Sequence, residues 1–232
     1  MSSRRAFIAA TAASVAVTRA AASAAVAAET TSFDARLRMP YRHRQAFASA
    51  RVAGGAVLGY MMNSLNAYHF GLKEGPGTLH AAAILYGTGV IVGLNDDAWR
   101  RFELGKLATV DDHGAFVRNP NAENASPDRN PYLAATSSLD ERNDPDDEHG
   151  FYHDHSITAL AKRGASFFLC NNALGATAQV LARVHGGDWR TIKNDLAHSI
   201  VAESLIVPAG VAAVNAAQEA RFTLFQASTT TS

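Results

Sequence analysis

Apolar residues fall in short runs along this chain, and the runs alternate between two rhythms. The clearest stripe is Val57, Leu58, Met61, Met62, Leu65, Tyr68 and Leu72, spaced i, i+3, i+4 and i+7 like one face of a helix. Gly54-Gly55 opens that segment and Gly75-Pro76-Gly77 ends it. Gln45 to Val52 before it and His80 to Tyr86 after it read as strands. Asn95 or Asp96 caps a helix through about Leu104, with Trp99 and Phe102 turned inward. Ser156 caps another over Ile157 to Arg163, stopped by Gly164. Ala165 to Leu169, apolar except for Ser166, has the look of a buried parallel strand. Leu174, Ala178, Leu181 and Ala182 return to the helical rhythm over Ala173 to Val184. A helix from Asp188 to about Ser199 follows, then a strand at Leu205-Ile206-Val207. Pro208 begins a last helix carrying Val211, Val214, Ala217 and Gln218. Phe222 to Phe225 closes the pattern. Five strands alternating with helices predict a doubly wound α/β layer fold in one domain over residues 41–226.

Two stretches break the rhythm. Leu107 to Asp154 is rich in Asn, Asp, Pro and Ser, which predicts a long loop, either a lid or an insertion. At the amino terminus, Ser3-Arg4-Arg5-Ala6-Phe7-Ile8 carries twin arginines before an Ala-rich stretch. Ala25-Val26-Ala27 offers small residues for cleavage. Together these read as a Tat export signal over residues 1–28 and place the mature protein in the periplasm. Residues 29–40 are polar, and 227–232 read as a disordered tail. No later run reaches ~18 uninterrupted apolar residues, so no membrane contact is expected after signal removal.

Charge refines the picture. Lys+Arg and Asp+Glu are 21 each, and the first 28 residues hold three arginines and no acid, so the remainder stands at 18 − 21 = −3. A mildly acidic mature chain argues against a nucleic-acid partner. A single cysteine, Cys170, makes an intramolecular disulfide impossible.

Cys170 is also the main candidate for chemistry. It stands where a strand gives way to a helix, the edge at which open α/β sheets bind ligands. Free amides at a helix start favour a thiolate. A free Cys is often just a small buried hydrophobe, but position and residue type together favour the reactive role. Asn171 and Asn172 either hydrogen-bond a ligand beside the thiol or make a tight exit from the strand. Gly87-Thr88-Gly89 either lets backbone amides approach an anion or forms a plain turn. His80 is a further ligand-binding candidate, set against the ordinary role of a satisfied histidine. Glu148, His149, His153, Asp154 and His155 lie close enough in sequence to hold a transition metal through the three histidines, although the spacing matches no familiar zinc pattern. Otherwise no cofactor is expected. Walker, nucleophile-elbow and paired-Cys motifs are missing.

Gly164-Ala165-x-Phe167-x-Leu169-Cys170-Asn171-x-Ala173-Leu174 resembles the cysteine-bearing strand and helix of DsrE/DsrF-like proteins. Val207-Pro208-Ala209-Gly210-Val211, Gln218-Glu219 and Phe222-Thr223-Leu224-Phe225 resemble the carboxyl end of that family. The likeness covers roughly Arg44 to Leu104 and Ser156 to Gln226. It implies a three-layer α/β/α domain with a five-stranded, mostly parallel sheet. It also implies homo-oligomers, often trimers or hexamers. In the family's sulfur-relay members the matching cysteine accepts sulfur as a persulfide from a donor protein and passes it to an acceptor. The relay members are intracellular and lack the 107–154 insertion, so this chain resembles an exported, Tat-signalled branch. The resulting expectation is a persulfide carrier or sulfurtransferase-like protein. The alternative is a non-catalytic periplasmic oligomer that binds a small molecule or metal.

Overall fold

A computed structural model describes residues 33–111, 128–134 and 155–227. Residues 33–37 form a short helix, α1, and the Arg38 guanidinium donates to Asp34 at 2.7 Å. The larger unit begins at Met39. Its sheet comprises β1 (His43–Ser49), β2 (Leu79–Leu85), β3 (Ser166–Cys170), β4 (Ser204–Val207) and β5 (Thr223–Gln226). The order is β4-β3-β2-β1-β5, and every neighbouring pair is parallel.

The side-chain alternation of these strands sorts the core into two layers. On one face Phe47 lies beside Ala83 and Ala83 beside Phe167. These belong to the main apolar cluster with Val57, Leu58 and Met61 of α2 (Ala56–Asn66) and Leu174, Ala178 and Leu181 of α6 (Asn171–His185). On the other face Ala48 lies beside Ile84 and Ile84 beside Phe168. That face is crossed by α8 (Gly210–Glu219), which meets β1, β2, β3 and β5 and buries Ala213 and Ala217. The fold is therefore α/β with an all-parallel five-stranded sheet between helical layers. β2 and β3 are buried at every position, as strands covered on both faces must be. Phe167 and Phe168 point to opposite layers, and each fully buried ring contributes about 2–3 kcal/mol.

Between β2 and β3 the chain makes a 3-10 segment (Gly87–Gly93) and the helices α3 (Asp96–Arg101), α4 (Leu104–Asp111) and α5 (Ile157–Lys162). α7 (Trp189–His198) packs along α6. Asn95, Ser156 and Asp188 cap α3, α5 and α7 through their side chains, each at the position its residue type predicts.

Two parts of the stretch read as insertion belong to the domain. The first is α4, which runs on to Asp111 because Leu104 and Ala108, one turn apart, share a buried face. The second is a strap over residues 130–134. Asn130 is buried, and its amide donates to the carbonyls of Val92 at 2.7 Å and Leu94 at 2.6 Å. Its Oδ1 accepts the Tyr132 N–H at 2.8 Å, and its own N–H donates to Asp96. The Tyr132 ring lies over Gly55, where a Cβ would come within 2.7 Å of it, and meets Trp99 edge-on. Gly55 also has φ +77°, so glycine is required there twice over. The strap also holds the start of α5, where Ile157 and Thr158 donate to the carbonyls of Tyr132 and Leu133.

Candidate functional site at the carboxyl edge of the sheet

Cys170 is the last residue of β3, paired with Val207 of β4, and also the N-cap of α6. Its backbone is extended (φ −71°, ψ 115°) before the helix begins. Its Sγ accepts the Ala173 N–H at 3.3 Å. A thiol in this i to i+3 geometry occupies the place a Ser, Thr or Asp would normally take. The residue is 5% exposed. Pairing with β2 stops one residue earlier, at Leu85 beside Leu169, so Cys170 is held by a strand on one side only.

Topology gives this position its meaning. β3 leaves the sheet into α6 on one face, and β4 leaves into α8 on the other. Adjacent strands whose exits diverge open a crevice at their carboxyl ends, the place where α/β sheets take ligands. Cys170 and Val207 form the bottom of that divergence. Both α6 and α8 start here, and no side chain caps α8. Two helix starts direct partial positive charge at this edge.

Asn171 and Asn172 occupy the first turn of α6 and are not a loop leaving the strand. The reason is the cap: once Cys170 takes the Ala173 amide, the helix begins immediately after it. Asn171 is half-buried and Asn172 exposed, and neither side chain makes a hydrogen bond within the described residues. Lys193 of α7 lays its aliphatic stem across Gly175, one turn into α6, at 3.8 Å from where a Cβ on that glycine would stand.

Gly87, Thr88 and Gly89 lie at the same edge, after β2. A Cβ on Gly87 would strike the Ala50 carbonyl oxygen, and one on Gly89 would come within 2.8 Å of the Ser49 carbonyl oxygen. The Gly89 N–H and the Thr88 hydroxyl both donate to Ala50, at 3.3 and 3.4 Å. Close packing against the loop after β1 therefore accounts for both glycines, and the Gly89 amide is already engaged. The far end of this segment reaches the cysteine strand, since Gly93 sits against the Leu169 side chain.

His80 sits at the other end of the sheet. Leu85 is level with Leu169, so Cys170 is level with Tyr86, six positions beyond His80. At ~3.3 Å per residue this separates the two by roughly 20 Å. His80 is wholly buried, its Nε2 is 2.9 Å from the Ser166 hydroxyl, and its ring stacks on Tyr41 at 4.7 Å. The structure does not bring it together with Cys170. His149 and His153 lie outside the described residues. His155 is half-buried just before the Ser156 cap. Among the described residues no group of three His, Cys, Asp or Glu is placed to hold a metal ion, and no helix is long and apolar enough to cross a membrane.

Sequence reasoning does not single out Tyr86, which the structure places at the site. It stands level with Cys170, its hydroxyl accepts from Gln226 Nε2 at 3.1 Å, and a Cβ on Gly210 would meet its Cβ at 2.6 Å. Glycine at the first position of α8 is thus what lets that helix start close over Tyr86. An aromatic ending an apolar run, before a glycine-rich turn, is the signal that could have found it.

No family model, curated protein or solved structure matches this chain.

Proposed function

We propose that the protein carries sulfur on Cys170, as an exported DsrE-like persulfide carrier or sulfurtransferase. The observation that supports this reading is the cysteine's place at the diverging exits of β3 and β4, with its sulfur accepting the Ala173 amide in the first turn of α6. The chemistry needs a thiolate, and an amide already aimed at Sγ stabilises one. With thiosulfate as donor, the Cys170 thiolate attacks the outer sulfur. The Sγ–S bond forms, the donor S–S bond breaks, and sulfite leaves with the bonding pair. The terminal sulfur of the persulfide then holds the negative charge next to the start of α6. Cys170 is only 5% exposed, so the reading requires a small donor. The decisive measurement is intact mass after incubation of native protein with thiosulfate or polysulfide, where a gain of one sulfur atom is expected. Labelling of Cys170 only after unfolding would remove the proposal.

A second reading has its own support. Because the buried sulfur also caps a helix, the cysteine serves the fold as it stands, which suits a non-catalytic oligomer binding a small molecule or metal. Native protein that takes up no sulfur but binds such a ligand would favour it. Under either reading the protein is proposed to be exported and to assemble as a trimer or hexamer. A periplasmic extract of its host should contain the mature chain as an assembly by sizing with light scattering; a monomer, or retention in the cytoplasm, would count against this.

A further inference from the structure

No further inference is drawn: the strongest candidate, the outer edge of β5 where Leu224 and Phe225 are exposed at the rim of the sheet, is an unpartnered strand edge with nothing in the structure to show what covers it.

Discussion

α6 and α7 begin in the same way with different chemistry. Cys170 accepts the amide three residues on, Ala173, at 3.3 Å; Asp188 accepts the amide three residues on, Thr191, at 3.0 Å. Asp188 stands in solvent, and the Thr191 backbone N–H, first among several causes, holds its carboxyl below the usual range. It also accepts the Thr191 hydroxyl at 3.2 Å and lies 4.0 Å from the Arg190 guanidinium. Cys170 is buried at the diverging strand exits, and a thiol is a poorer acceptor than the hydroxyl or carboxylate that caps usually employ. Capping alone would be better served by Ser. The difference teaches that one amide bond at a helix start does not by itself explain why residue 170 is cysteine. Under the proposed function, the reason is sulfur chemistry.

The largest expected effect follows from exchanging the sulfur for the better cap. Cys170→Ser should abolish sulfur loading while leaving unfolding free energy within about 1 kcal/mol of the parent, because Ser keeps the bond to Ala173. Mass spectrometry and urea titration read the two quantities separately. A large stability loss with Ser would mean that the thiol is there to fill space.

Next in size is a test of whether buried polar groups in this fold must be satisfied. Asn130→Ala leaves the Val92 and Leu94 carbonyls and the Tyr132 amide without their partner. A loss of about 3 kcal/mol is expected, since each buried orphan costs about 1–3 kcal/mol. Thiol reactivity of the folded fraction should be unchanged. If the urea midpoint does not move, the strap is an ornament on the domain and not part of it.

Asp188 supplies the pH arm of the comparison. Its folded pKa is depressed, so its stabilisation is fully present above the unfolded value and is lost as pH falls through the folded one. The window lies at and below the ordinary aspartate value of 3.8. Asp188→Asn should therefore flatten the acid limb of the stability curve slightly and leave neutral pH little affected, because Asn also caps. An unchanged acid limb would show that the carboxylate's charge contributes nothing measurable beyond what a neutral cap supplies.

How much of this was legible from the sequence depends on the range of the interaction. The apolar runs located β2 to β5 to within one residue and overran the end of β1 by three, and Ser156, Asn95 and Asp188 announced their helices, because periodicity and capping act over one turn. The strand-to-helix switch at Cys170 was legible for the same reason. The apolar residues of the strap, Tyr132 and Leu133, stand out in their polar surroundings, but its hydrogen bonds were not legible: Asn130 sits in a run of Asn, Asp and Pro, and its partners Val92 and Leu94 lie more than thirty residues away. The first turn of α6 was misplaced because a cysteine is not read as a cap, so Asn171 and Asn172 took the part of a loop. Gly87 and Gly89 looked available to a ligand because the carbonyls of Ser49 and Ala50 that press on them come from another strand's exit. The separation of His80 from Cys170 needed the strand register.

The smallest expected effect separates the cap from the chemistry within a single substitution. Asn172 is exposed in the first turn of α6, two residues from the cap. Asn172→Asp puts a negative charge at a helix start, which should raise stability by about 0.5 kcal/mol. The same charge disfavours a thiolate nearby. At about 7 Å and an effective dielectric of about 60, close to that of water for an exposed side chain, the repulsion is on the order of 0.8 kcal/mol, roughly a threefold to fourfold slower alkylation at neutral pH. The two effects have opposite signs, so neither is explained by a general loosening of the fold. Salt sharpens the test, because screening over ~8 Å at physiological ionic strength should shrink the rate difference in concentrated salt. An alkylation rate that stays constant while stability rises would mean that Cys170 does not react as an anion held at the start of α6. It would then be a cap like Asp188 and nothing more.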